Sequence, residues 1–297
     1  MRGKVVMVTG ANGGMGKVIA RELVRQEATV VMVCRDPRKG EEARREIMQA
    51  TGNSSVDLLI ADLSSQQSVR EVARQFQERY SHLHVLVNNA GAHVQQRKLS
   101  VDGIEMNLAV NHLSAFLLTN LLLDTLRASE PARIVNVASQ AMADTRQITL
   151  VGKPRIATID FDDLQSEREF VPFEVYGQAK LAMLLCTYAL ARRLAGTGVT
   201  ANALHPGITA TNIVNDVAPP LVRPFLGLIK PFLPTPERGA RTALYLAMSP
   251  EVEGVSGKYF IREKETPSVP ISYDEALQER MWEISAQLTG LAVEARR

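Results

Sequence analysis

Cysteine is nearly absent from this chain. The two that occur, Cys34 and Cys186, each sit inside an apolar run, which excludes a disulfide framework and suits buried thiols in a reducing compartment. No run of about 18 uncharged apolar residues is found, so a membrane span is not expected. The opening MRGKVVMVTG goes directly into a strand, without a charged leader, an apolar signal core or a cleavage site; the expected localisation is cytoplasmic. An excess of one charge is lacking as well: 34 basic and 32 acidic side chains leave a formal +2. The two signs are interspersed, so no nucleic-acid or other polyanion partner is indicated. The five histidines form no metal-ligand pattern, with His82 and His84 reading as solvated edge residues, and no metal is expected. No Gly-x-Ser-x-Gly elbow is present, which removes the common hydrolase class.

What is there is ordinary in bulk and regular in order. Hydrophobic residues make up 45% of 297, enough for a substantial core. Short β-branched runs alternate with amphipathic stretches as far as about residue 260. The strands are expected at 5–8, 29–34, 56–61, 85–87, 133–137, 200–204 and 258–261, and the helices near 15–26, 38–50, 66–79, 104–128, 174–195 and 236–248. That rhythm predicts an α/β, Rossmann-type doubly wound parallel sheet of about seven strands with helices on both faces, in a single domain over 1–297. Two stretches, 140–172 and 206–235, exceed usual connection lengths and are candidates for function. The tail, about 273–291, is amphipathic, with Ala276, Leu277, Met281, Trp282, Ile284 and Leu288 on one face; it reads as a packing helix.

Chemistry begins with TGANGGMG, which carries Gly10, Asn12, Gly14, Met15 and Gly16 between the first strand and a helix. Glycines allow a tight turn close to a pyrophosphate, and the helix N-terminus offers N–H groups and positive potential to it. About twenty residues further on, where an acid against the ribose 2′-hydroxyl would mark an NAD enzyme, Arg35 leads instead. A guanidinium there forks onto a 2′-phosphate, with Lys17 and Arg38 as candidate helpers, so NADP(H) is favoured over NAD(H). Asp36 is the contrary signal, read instead as the acid that starts the helix at Pro37. Asp62, followed by Leu63, either receives the adenine amino group or caps the next helix. In Asn88-Asn89-Ala90-Gly91 the small residues let the chain pass beneath adenosine, and the amides can tie neighbouring strands.

Tyr176 and Lys180 form the only Tyr-x-x-x-Lys of the chain, and an i, i+4 spacing places both on one helix face. A phenol is a poor base near neutrality, and a neighbouring ammonium together with a cationic nicotinamide is expected to stabilise the phenolate and lower its pKa. Ser139 ends the fifth strand at the carboxyl edge of the sheet, where ligands bind in open α/β folds and where a hydroxyl can bond a carbonyl oxygen as charge develops. Cys34, beside Arg35, reads as a buried small hydrophobe.

With these motifs in this order, the chain resembles the short-chain dehydrogenase/reductases over about residues 3–262. The stretches ANGGMGK, VCRD, LVNNAG, DGIEMNLAVNHLSAFLLTNLLL, RIVNVAS, YGQAKLAMLL and GVTANALHPGITATN are similar to the retinol dehydrogenase-like branch. The resemblance implies a hydride exchange between NADP(H) and a carbonyl/alcohol pair on a lipophilic small molecule. It implies that Ser139 polarises the substrate oxygen, Tyr176 transfers the proton and Lys180 holds the nicotinamide ribose. It further implies that Asn111 kinks its helix and holds a water linked to Lys180, and that Pro206, Gly207, Ile208 and Thr211 line the nicotinamide and diphosphate. Most members of that family place the serine closer to the tyrosine; here 36 residues lie between them, as in the retinol dehydrogenase-like branch. The membrane anchor of that branch's animal members is not carried over. A homo-oligomer is compatible with this reading. The rival is a sensor or scaffold that binds NADP(H) without turnover, against which the intact acid/base set argues. The apolar stretch 206–235 is expected to be a lid over the substrate, with an interface or a membrane surface as its alternatives.

Overall fold

The computed structural model describes residues 1–145, 155–207 and 235–292. Eight strands form one sheet in the order β3-β2-β1-β4-β5-β6-β7-β8, where β1 is Val5–Thr9, β2 Thr29–Cys34, β3 Val56–Ile60, β4 Val85–Asn88, β5 Ala132–Val137, β6 Val199–His205, β7 Tyr259–Ile261 and β8 Lys264–Glu265. The first seven are parallel and β8 returns antiparallel on β7. The seven expected strands are all present, and β8 is the addition. Arg262 and Glu263, at φ +52° and +63°, make the two-residue turn into it. Such turns usually announce themselves by Asn-Gly or Gly-Gly, and this one carries neither.

The helices are α1 (Gly14–Arg25), α2 (Pro37–Thr51), α3 (Gln66–Arg79), the short α4 (Met106–Leu108), α5 (Ser114–Leu121), α6 (Leu123–Arg127), α7 (Pro172–Arg193), α8 (Pro236–Met248) and α9 (Glu275–Thr289). Several of their ends are written locally. Asp36 accepts the N–H groups of Arg38 and Lys39 with Pro37 in the first turn, and Gly52 closes α2 in the left-handed region. Ser65 caps α3 and Asp274 caps α9. One continuous helix is expected over 104–128, but the chain instead runs through α4, a π-helical turn Ala109–Leu113, α5 and α6.

Alternate strand residues feed two cores, as the period of two requires. Val6, Val8, Val30, Met32, Val85, Val87 and Leu204 pack under α1, α2 and α8. Met7, Val31, Val33, Leu86, Ile134 and Ala203 pack under α3, α5, α7 and α9. The strand order reverses between β1 and β4, so the loops leaving their carboxyl ends diverge and open a crevice.

The buried stripe of α9 differs from the one expected. Gln278, Met281, Trp282, Ser285, Ala286 and Thr289 face inward, Ala276 is exposed, and Leu277, Ile284 and Leu288 lie half-buried on its flanks. Hydropathy misplaces the face because half of the inner stripe is polar and takes its hydrogen bonds inside. Gln278 accepts from Arg192 and donates to the Ser272 carbonyl, and Thr289 Oγ1 donates to the Ser285 carbonyl at 2.6 Å. The proposed lid, 206–235, lies outside the described residues except for Pro206, Gly207 and Thr235. No helix among the described residues is long and apolar enough to cross a membrane.

Candidate active site

The glycine turn closes onto the loop after β4. Gly10, at φ +68°, redirects the chain while its N–H stays bonded to the Val33 carbonyl at 2.8 Å. A Cβ on Gly16 would collide with the Gly10 carbonyl oxygen and stand 2.5 Å from Asn89 Nδ2, so only glycine allows α1 to begin this close to Asn89. That amide donates to the Thr9 carbonyl at 2.8 Å, while Asn88 Nδ2 donates to Asn136 Oδ1 at 2.8 Å; both asparagines tie neighbouring strands. The N-terminus of α1 has no side-chain cap and no acid in its first turn, which leaves its N–H groups and dipole to an anion. Asn12, Gly14 and Met15 stand in this same turn. The cradle fits a dinucleotide pyrophosphate.

Beside it, Arg35 is exposed at the end of β2, and Asp36 is committed to α2 as its cap. Lys17 does not stand with Arg35 as a helper: its ammonium is ion-paired with Glu46. Asp62 turns inward on its own loop, accepting Ser64 N–H at 2.9 Å and Ser64 Oγ–H at 2.8 Å. The cap of α3 is Ser65 rather than Asp62, and half-buried Leu63 lies between them. Cys34 is buried, and burial pushes its thiol up to about 11, so it is no activated nucleophile.

The acid/base set converges at the carboxyl edge of β4 and β5. Tyr176, buried on α7, has Ser139 close enough to ease its ionisation. Ser139 Oγ in turn accepts Ala141 N–H at 3.1 Å, which opens the loop away from β5. One turn along α7, Lys180 Nζ donates to the Val137 carbonyl at 2.8 Å and lies 5.9 Å from the Tyr176 ring centre. Asn111 completes the group from the π-helical turn. Its Nδ2 donates to the carbonyls of Ala92 at 2.7 Å and Asn107 at 3.0 Å, and its Oδ1 accepts Ala92 N–H at 3.0 Å. Taking the Asn107 carbonyl with a side chain widens the helix there, which is why the expected single helix breaks. A Cβ on Gly91 would lie 3.0 Å from Asn111 Oδ1 and 3.6 Å from Lys180 Nζ, so both polar groups stand close against Gly91, with Ala90 just before it.

In the free protein, without the nicotinamide, burial sets both groups of the pair. Burial pushes Tyr176 up to about 12, opposed by the nearby Ser139 hydroxyl, and pushes Lys180 down to about 7. Both groups are desolvated, and burial disfavours the charged form of each.

Three residues at the site carried no motif. His93, buried, meets the Tyr176 ring edge-on with centres 5.4 Å apart and lies 5.9 Å from Phe173. Glu105, fully buried, accepts the N–H groups of Asn107 and Leu108 at 2.9 and 2.8 Å and so starts the segment that carries Asn111. His205 Nδ1 accepts Gln140 N–H at 3.1 Å, which steadies the residue after Ser139. His93 and His205 are set by contacts far apart in sequence, which no local pattern signals, whereas Glu105 caps the residues two and three places on. His84, expected to be solvated, accepts Val5 N–H at 3.0 Å. Pro206 and Gly207 follow β6 at this edge, whereas Ile208 and Thr211 lie outside the described residues. Among the described residues no group of three His, Cys, Asp or Glu side chains could hold a metal ion.

Residues 4–149 match the family model described as short chain dehydrogenase, and 145–262 match that described as Enoyl-(Acyl carrier protein) reductase. Retinol dehydrogenase 14 of Homo sapiens is 44% identical over 306 aligned positions, covering 98% of this chain and 88% of that protein. Among solved structures, an uncharacterized protein from Mycobacterium Paratuberculosis is similar at 32% identity with a TM-score of 0.76, over 99% of this chain and 96% of that one. The Pseudomonas aeruginosa RhlG/NADP active-site complex is similar at 26% identity and a TM-score of 0.66, over 88% and 94%.

Proposed function

The chain belongs to the short-chain dehydrogenase family, on its retinol dehydrogenase-like branch, and on that premise we propose that it exchanges a hydride between NADP(H) and a lipophilic carbonyl or alcohol. One observation carries the reading: Ser139, Tyr176 and Lys180 meet at the edge of the sheet beside a glycine turn and an uncapped helix N-terminus. The nicotinamide, when bound, supplies or takes the hydride. The chain's own groups do the rest. The turn Gly10–Gly16 with the start of α1 holds the pyrophosphate, Asp62 and Leu63 border the adenine, and Asn89, Ala90 and Gly91 lie under the adenosine. Lys180 and Pro206-Gly207 border the nicotinamide half. Tyr176 is protonated at neutral pH and gives its proton to the carbonyl oxygen in reduction, while Ser139 directs a hydrogen bond to the same oxygen. Asn111 and Lys180 continue the proton path beneath Gly91. A cofactor-binding scaffold would need no such set.

The preference for the phosphorylated cofactor rests on Arg35, because Asp36 is already used by two backbone N–H groups. NADPH should bind more tightly than NADH, and Arg35→Ala should erase most of a roughly ten- to hundredfold difference, the range of a charge-assisted contact. Titration of both cofactors against the two proteins measures it. Tighter binding of NADH by the unmutated chain would reverse the assignment.

A lipophilic substrate is supported by the relatives named for retinol and by the aromatic surround of Tyr176 from Phe173 and His93. Along straight-chain aldehydes, kcat/KM should rise about fourfold per methylene, or about 0.8 kcal/mol, until the pocket is filled. A flat series, or a preference for small charged carbonyls, would reject it.

A further inference from the structure

The family models end at residue 262, and α9 lies beyond them, yet one of its buried polar residues reaches the site through a single neighbour. Ser285 is fully buried. Its Oγ donates to the Met281 carbonyl at 2.6 Å and lies 2.7 Å from His112 Nε2. A serine hydroxyl has one proton. With that proton given to Met281, the contact to His112 must be one that Ser285 accepts, so the imidazole carries its hydrogen on Nε2.

His112 adjoins Asn111 in the π-helical turn Ala109–Leu113. The turn is therefore pinned from two sides, by Asn111 on both backbone groups of Ala92 and by His112 on α9. Cys186 of α7 completes the junction, its Sγ 3.9 Å from His112 Nε2 and 3.8 Å from Ser285 Oγ. The helix supplying the serine is itself anchored. Glu279 pairs with Arg192 and Arg193 of α7, Trp282 meets Phe116 edge-on at 4.8 Å, and α3 holds the far end through Gln66 on the Leu288 carbonyl at 2.8 Å and Arg70 on the Thr289 carbonyl at 2.5 Å. Burial, with Lys180 nearby, pushes His112 down to about 3, so the ring works as a neutral donor throughout the working pH range.

We propose that Ser285 is a positioning residue for the reaction: by accepting the Nε2–H of His112 it sets the rotation of the π-helical turn and thereby the place of Asn111 against Lys180. Loss of that acceptor lets the turn rotate about the Asn111 clamp, and small displacements of an acid/base group lower the chemical step more than binding. This rests on the reading of Asn111, Tyr176 and Lys180 as the acid/base set.

The test is steady-state kinetics of the full chain with NADPH and a straight-chain aldehyde, with Tyr176→Phe assayed alongside. Ser285→Ala should lower kcat about tenfold while both KM values stay within about twofold. Ser285→Thr, which restores the acceptor, should recover most of the loss, and Ser285→Cys, near in size and a weaker acceptor, should fall between. Leu277→Ala, on the same helix but away from the junction, should lower the melting temperature and leave kcat per folded molecule unchanged. The proposal is overturned if folded Ser285→Ala or Ser285→Cys keeps the full kcat, if Ser285→Thr is no better than Ser285→Ala, or if Leu277→Ala loses kcat as much. If Ser285→Ala does not fold, the order Thr above Cys decides. Failure of the underlying reading has a different signature, turnover surviving in Tyr176→Phe.

Discussion

Tyr176→Phe is expected to reduce turnover by about 10²- to 10⁴-fold, the span that general acid/base catalysis contributes, with cofactor affinity and melting temperature nearly unchanged. The ring keeps its contacts with His93 and Phe173, so packing survives. What is lost is one transferable proton. In the free protein burial holds the phenol at about 12, so it is protonated across the neutral range and acts as a donor in carbonyl reduction. Cofactor titration by fluorescence, paired with a rate measurement, separates binding from chemistry. A variant keeping more than about a tenth of the rate would show that another group supplies the proton.

Lys180→Met is expected to move activity and stability in opposite directions. Turnover should fall by at least about 10²-fold, because the group beside Tyr176 and Gly91 is gone. Stability of the free protein should rise. Burial depresses Lys180 from the usual 10.5 to about 7, so between those pH values the unfolded chain binds more protons than the folded one, and stability climbs as pH rises through that window. Below about 7 the full cost of a buried ammonium is present. A methionine of similar length removes that cost and forfeits the bond to the Val137 carbonyl, itself worth about 1 to 3 kcal/mol once unsatisfied. The net gain is about 2 kcal/mol near pH 6 and vanishes by about pH 10. Melting curves at the two pH values give the answer; a variant less stable at pH 6 would show that the ammonium is held favourably where it lies.

By itself the sequence determined whatever a few consecutive residues decide. The alternation of strand and helix, Asp36 before Pro37, the glycines before α1 and the i, i+4 pair Tyr176 and Lys180 are local signals, each read from spacing or a turn's conformational demand. They suffice for a parallel α/β sheet and for the order of the acid/base residues. Asp62 stayed ambiguous between ligand and cap because both roles use the same carboxylate in the same turn; the structure shows it bonding Ser64, with Ser65 as the cap. Only the tertiary structure decided what depends on burial and on contacts distant along the chain. Burial raises the Tyr176 phenol in the free protein, since desolvation depends on everything packed around a group and on nothing in its motif. The π-helical turn at Asn111 is held by Ala92, four residues beyond β4, whose two backbone groups fix the Asn111 amide. The inner stripe of α9 carries Ser285 because His112, 173 residues away, is folded against it, and hydropathy has no means of anticipating a hydrogen bond whose partner the fold alone brings near.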